Sequence, residues 1–109
     1  MVVIYPQDTV VMPGKTALLV CVAYGDPQSS VTWSKGTVSL SNSSQISIWQ
    51  QLQNQSGFIF VQSVLEICNT NAAHSGEYSC TADNGIGSHS ISFQLTIQGK
   101  QVFLPVSNS

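Results

Sequence analysis

The chain has 109 residues, 42% of them hydrophobic, which is enough for one domain with a core of its own. Charged residues make up only 7% of it, against about 25% in an average soluble protein, and the net charge is −2. No basic patch is present to neutralise phosphates and no polybasic run to hold a membrane surface, so nucleic acid and anionic lipid are excluded as expected partners.

Taken in chain order, the predicted elements are short and strand-like. Val2 to Tyr5 reads as an edge strand interrupted by Pro6, with pairing resuming around Thr9 to Met12. After Pro13-Gly14, the residues Ala17, Leu19, Cys21 and Ala23 alternate along one segment. Its apolar run, Leu18 to Ala23, falls far short of the ~20 residues that span a bilayer, so no direct membrane insertion is expected of this segment. The N-terminus lacks the charged start and apolar stretch of a secretion signal, which places any signal or anchor outside this stretch.

Past Gly25-Asp26-Pro27, Val31 and Trp33 alternate as far as Lys35-Gly36. Ser39 to Ser56 is rich in Ser, Gln and Asn and less regular, with a short strand predicted at Gln45 to Trp49. Beyond Ser56-Gly57, one parity carries Val61, Leu65 and Ile67. Ser75-Gly76 introduces Tyr78, Cys80 and Ala82, and Asn84-Gly85 separates them from Ile91, Phe93, Leu95 and Ile97. Period two over so many short segments predicts half-buried strands in a sandwich or barrel. Gly99 to Ser109 reads as a linker or the start of a neighbouring segment, leaving residues 1–98 as the domain.

Several motifs together carry a family resemblance. They are Ala17-x-Leu19-x-Cys21-x-Ala23, Val31-x-Trp33-x-Lys35-Gly36, Leu65-x-Ile67, Ser75-Gly76-Glu77-Tyr78-Ser79-Cys80 and Ala82-x-Asn84-x-x-Gly87. Over roughly residues 2 to 98 the chain resembles the intermediate, or I-set, type of immunoglobulin domain. The resemblance implies an all-β, two-sheet antiparallel β-sandwich of Greek-key topology. It implies that Cys21 and Cys80 bridge the facing sheets, that Trp33 packs on the bond, and that Tyr78, two residues before Cys80, forms the tyrosine corner, with Leu65 in the core. Asn84 and Gly85 would supply the positive φ of a tight final hairpin.

One departure stands out. Such domains usually carry Asp where this chain has His74, paired with a basic residue, yet no Arg or Lys lies between Lys35 and Lys100. Both halves of the ion pair are missing together, so hydrogen bonds are expected to hold the corner.

No catalytic, metal or cofactor constellation stands out. His74 and Ser75 are adjacent on a turn, an arrangement that rarely makes a dyad, and no Gly-x-Ser-x-Gly elbow occurs. His74 and His89 lack a third ligand, and Gly85-Ile86-Gly87 lacks the third glycine of a dinucleotide loop. Asn42-Ser43-Ser44 and Asn54-Gln55-Ser56 are N-glycosylation sequons, both expected in loop. The resemblance therefore implies a non-enzymatic extracellular recognition or adhesion domain of a larger receptor, meeting a protein ligand or a neighbouring domain. The alternative is a structural link in an intracellular muscle-type filament, where Cys21 and Cys80 would stay reduced.

Parity also predicts two different outer faces. Thr32, Ser34, Ser79, Thr81, Ser90, Ser92, Gln94 and Thr96 should form a solvated face without interface anchors. On the opposite sheet, Leu18, Val20, Val22, Phe58, Phe60 and Val64 should join Cys68, the odd cysteine of three, in one exposed apolar surface. That surface is expected to be an interface, with a homodimer across Cys68 as one form of it. A bulge between Gly57 and Val61, or coverage by Gly99 to Ser109, would remove it.

Overall fold

Alternating apolar residues do form strands, and the strands sort into two sheets. The computed structural model describes residues 2–4, 6–24, 29–55 and 57–99. Among these residues nine strands form: β1 (Val2–Ile4), β2 (Thr9–Val11), β3 (Ala17–Tyr24), β4 (Ser30–Lys35), β5 (Val38–Ser39), β6 (Ile46–Gln55), β7 (Phe58–Ile67), β8 (Gly76–Asp83) and β9 (Ser88–Ile97). One sheet has the order β1-β3-β7-β6 and the other β2-β9-β8-β4-β5. All pairings are antiparallel except β2 with β9, which is parallel. The parallel pair arises because the first strand changes sheet: β1 runs beside β3, and after Pro6 the chain crosses to lie beside β9. The turn at Gly25-Asp26-Pro27 and the tail from Lys100 onward lie outside the described residues.

Between the sheets lie the residues of inward parity. Trp33, Tyr78, Leu65, Ile67, Leu95 and both bonded cysteines are among the most buried side chains. The Cys21–Cys80 disulfide joins β3 to β8 across the core and closes a sequence separation of 59. In the chain-entropy picture a loop of that size makes the bond worth about 4 kcal/mol. Phe93 meets the edge of Trp33 and stacks on Tyr78, each at 6.1 Å between centroids. Ser63 is fully buried in β7, at inward parity, and its hydroxyl accepts the Trp33 indole N–H at 2.8 Å. An indole at the centre of an apolar core would otherwise leave a donor unpaired, which costs about 1–3 kcal/mol.

Two expectations change here, and one alternative is removed. The polar middle region is no irregular loop with a short strand at Gln45 to Trp49, because β6 runs for ten residues from Ile46 to Gln55. Its glutamines hide the pattern, since they supply neither an apolar parity nor a turn. The register of β6 on β7 is continuous from Ile46 against Ile67 to Gln55 against Phe58, so no bulge turns the phenylalanines inward. In the final hairpin only Gly85 takes positive φ, at 85°. Asn84 instead accepts from the backbone N–H of Ile86 and Gly87 through its side-chain oxygen.

Candidate interaction surface

The corner beside β8 is held by hydrogen bonds around His74. Tyr78 donates its hydroxyl proton to the His74 carbonyl at 2.5 Å, and burial raises its pKa above the usual tyrosine value. The short 3₁₀ turn Ala72–His74 is capped by Asn71, whose own N–H donates to His74 Nδ1 at 3.0 Å. Ser75 Oγ accepts from the Ile97 N–H at 2.8 Å, so His74 and Ser75 are engaged separately. Lys35 reaches the same turn, donating to the Ala73 carbonyl and passing over the Tyr78 ring. Hydrogen bonds thus stand where the family's ion pair would be. Among the described residues no group of three or more His, Cys, Asp or Glu is placed to hold a metal ion.

The outer face of the five-stranded sheet is hydroxyl-lined. Ser34 bonds Ser79 at 2.7 Å and Thr81 bonds Ser90 at 2.5 Å, each pair joining neighbouring strands. Ser92 and Gln94 are exposed, and Val10 stands exposed at the β2 edge.

The outer face of the four-stranded sheet is built from cross-strand rungs. The β3–β7–β6 register puts Leu18, Glu66 and Ser47 on one rung, then Val20, Val64 and Trp49, then Val22, Gln62 and Gln51, then Tyr24, Phe60 and Gln53. Residues directly opposed on one face lie about 4.5–5.5 Å apart at Cβ, close enough to pack. Tyr24 and Phe60 do so with ring centroids 5.2 Å apart. The Trp49 indole is 40% exposed and Leu18 is 58% exposed. Val20, Val22 and Phe60 are half-buried, and the side chain of Phe58 lies outside the described ones.

This arrangement corrects the expected patch. Val64 has outward parity but is buried, at 7% exposure, because it sits mid-sheet between Val20 and Trp49. Gln62 and Glu66 interrupt the apolar column of β7, so the patch does not run unbroken to Cys68. Cys68 is a free, half-buried cysteine one residue past β7, its backbone bonded to Gln45. The centre of the surface is therefore Trp49. The sequence does not single it out because the glutamines after it end the predicted strand at that residue.

The immunoglobulin I-set domain model matches residues 1–97. The chain belongs to the immunoglobulin I-set family. It is 35% identical over 94 residues to the smooth-muscle myosin light chain kinase of Gallus gallus, covering 86% of this chain and 4% of that protein. It is 34% identical over 106 residues to Brother of CDO of Homo sapiens, covering 94% and 8%. The solved structure of titin domain M7 superposes with a TM-score of 0.67 at 30% identity, covering 89% of this chain and 94% of that one. The chain thus spans only 4% to 8% of the length of these curated relatives.

Within this I-set domain the two sequons differ in setting. Asn42 is exposed in the loop before β6, and its side-chain oxygen accepts the Ile48 N–H at 2.7 Å. Asn54 is exposed too, but it stands in strand β6 opposite Ile59, not in a loop.

Proposed function

We propose that this domain is a protein-recognition module without catalytic chemistry, one part of a longer cell-surface or secreted protein. Its partner, a protein ligand or a neighbouring domain, docks on the outer face of the four-stranded sheet. The observation that carries this is the half-exposed Trp49 indole in the row Val20–Val64–Trp49. Tryptophan is enriched among the few residues that dominate binding energy, and the opposite face offers no such anchor. Because the apolar row is offset from Cys68, the face favours a partner seated on Trp49 over a homodimer bridged by Cys68. The Cys21–Cys80 disulfide and the exposed sequons at Asn42 and Asn54 support an extracellular setting, since such bonds persist in oxidising compartments.

A second reading, a structural link in an intracellular muscle-type filament, is supported by the 35% identity to the smooth-muscle kinase. Intact mass of protein from a mammalian secretory host separates the two. Glycan on Asn42 or Asn54 with an oxidised core bond supports the first. Bare sequons, with efficient folding in a reducing cytosol, support the second.

The docking face is tested by displaying the domain multivalently on a scaffold and screening it against cells expressing defined surface proteins. Trp49→Ala should weaken any binding found by about 30-fold, the effect of a ~2 kcal/mol hot spot, while Thr32→Ala leaves it unchanged. Binding that survives Trp49→Ala in a folded domain overturns the assignment of the face.

A further inference from the structure

Among the described residues the strand β6 lies at the edge of the four-stranded sheet, paired only with β7. Its even-numbered residues turn their backbone groups away from β7. Ile46 and Ile48 do so onto the preceding loop, where Ile46 exchanges bonds with Ser43 and the Ile48 N–H donates to Asn42. By the same alternation Gln50, Leu52 and Asn54 point their N–H and C=O groups outward, and these have no partner among the described residues. Past that loop, the segment lacks the charge, proline and bulge that usually guard a sheet edge. Ile46 to Gln55 contains no charge, no proline and no glycine, and its register on β7 shows no bulge.

The open part also projects beyond the second sheet. The Gln50 carboxamide reaches across to Val31, accepting from its N–H at 3.3 Å and donating to its carbonyl at 3.1 Å, and so marks where the sandwich closes. Beyond it, Leu52 and Ile59 have core-facing parity yet are 60% and 52% exposed.

We propose that this edge pairs with the same edge of a second copy, joining two four-stranded sheets into one across a two-fold axis at Leu52. The sequence of the edge points to that occupant. Gln50-Gln51-Leu52-Gln53-Asn54 is symmetric in chemistry about Leu52, with amide facing amide on either side. An antiparallel pair centred there sets Leu52 against its mate and Gln50 against Asn54 of the second copy, twice by symmetry. Each of these pairs exchanges both backbone hydrogen bonds. No like charges meet. Because the open residues lie past the Gln50–Val31 contact, each sandwich extends away from the axis in the opposite direction. The contact is isologous and therefore closes at a dimer. It is also small, so the dimer forms only at high concentration.

The test uses the full chain made in an oxidising host without N-glycosylation, since a glycan on Asn54 would cover the same edge. Sedimentation velocity up to about millimolar concentration should show a concentration-dependent dimer, in the millimolar-to-micromolar range of weak association. Amide exchange by NMR should slow with concentration at Gln50, Leu52 and Asn54, and not at Gln51 or Gln53. Leu52→Pro removes an outward N–H that no intramolecular bond uses and should weaken the dimer at least ~tenfold. Leu52→Lys, which leaves the backbone intact and sets two ammonium groups together at the axis, should do the same. Trp49→Ala should leave dimerisation unchanged, which separates this edge from the face assigned to partner recognition. A protein that stays monomeric throughout, or a dimer that survives Leu52→Lys, overturns the proposal.

Discussion

On the outer face of the five-stranded sheet the cross-strand neighbours are hydroxyls, Ser34 with Ser79 and Thr81 with Ser90. On the outer face of the four-stranded sheet they are Val20 with Val64 and Trp49, and Tyr24 with Phe60. The inner faces of both sheets obey one rule, burying wholly or in part the apolar residues of core parity that pack between them, so stability does not explain the difference outside. Hydroxyl pairs satisfy one another and bury little; an apolar rung gains by being covered. A domain that selection shaped for folding alone has no reason to leave an indole at the surface. The contrast therefore separates what holds the domain together from what it offers to another molecule.

The largest expected effect strikes both faces at once. Trp33→Ala empties the centre of the shared core and strands the Ser63 hydroxyl, and should cost about 3–5 kcal/mol in denaturant unfolding. A loss under about 1 kcal/mol would mean that the two sheets do not share one core through Trp33.

A smaller, sharper contrast comes from matched truncations on the two outer faces. Val64→Ala removes two buried methylene equivalents and should cost about 1.5 kcal/mol at ~0.8 kcal/mol each, whereas Thr81→Ala should stay within about 0.5 kcal/mol. Equal costs would show that Val64 is no better packed than the hydroxyl face, and the apolar rung would lose its meaning.

Much of this contrast was legible before the structure, but not its centre. Cys21, Trp33, Tyr78 and Cys80 announce the sandwich because each needs a specific neighbour in the core, and period-two alternation marks which parity faces inward. Parity gave the hydroxyl face and placed Leu18, Val20 and Phe60 on the other. It could not tell that Val64 is buried, because burial on an outer face depends on which side chains the register sets beside it. Trp49 and the long β6 were hidden by glutamine, which suits an edge strand through its backbone and gives no hydrophobic period. Ser63 was invisible for a related reason: a serine at core parity reads as noise until the indole it serves is known.

The smallest effect tests whether the difference between the faces is chemical or mechanical. Leu18 is more than half exposed at 58%, on the stretch of β3 that β1 does not flank, and Ser92 is exposed on β9. Leu18→Thr and Ser92→Leu move one leucine from the apolar face to the hydroxyl face. Each should change stability by no more than about 0.5 kcal/mol, because threonine suits a strand and neither site is in the core. The two changes should add, since they lie on opposite sides of the sandwich and share no neighbour. Recognition should respond differently: Leu18→Thr should weaken partner binding a few-fold, as trimming the border of a Trp49-centred contact does, while Ser92→Leu leaves it alone. If Ser92→Leu weakens binding and Leu18→Thr does not, the partner sits on the hydroxyl face, and the apolar rung serves only to pack Val64.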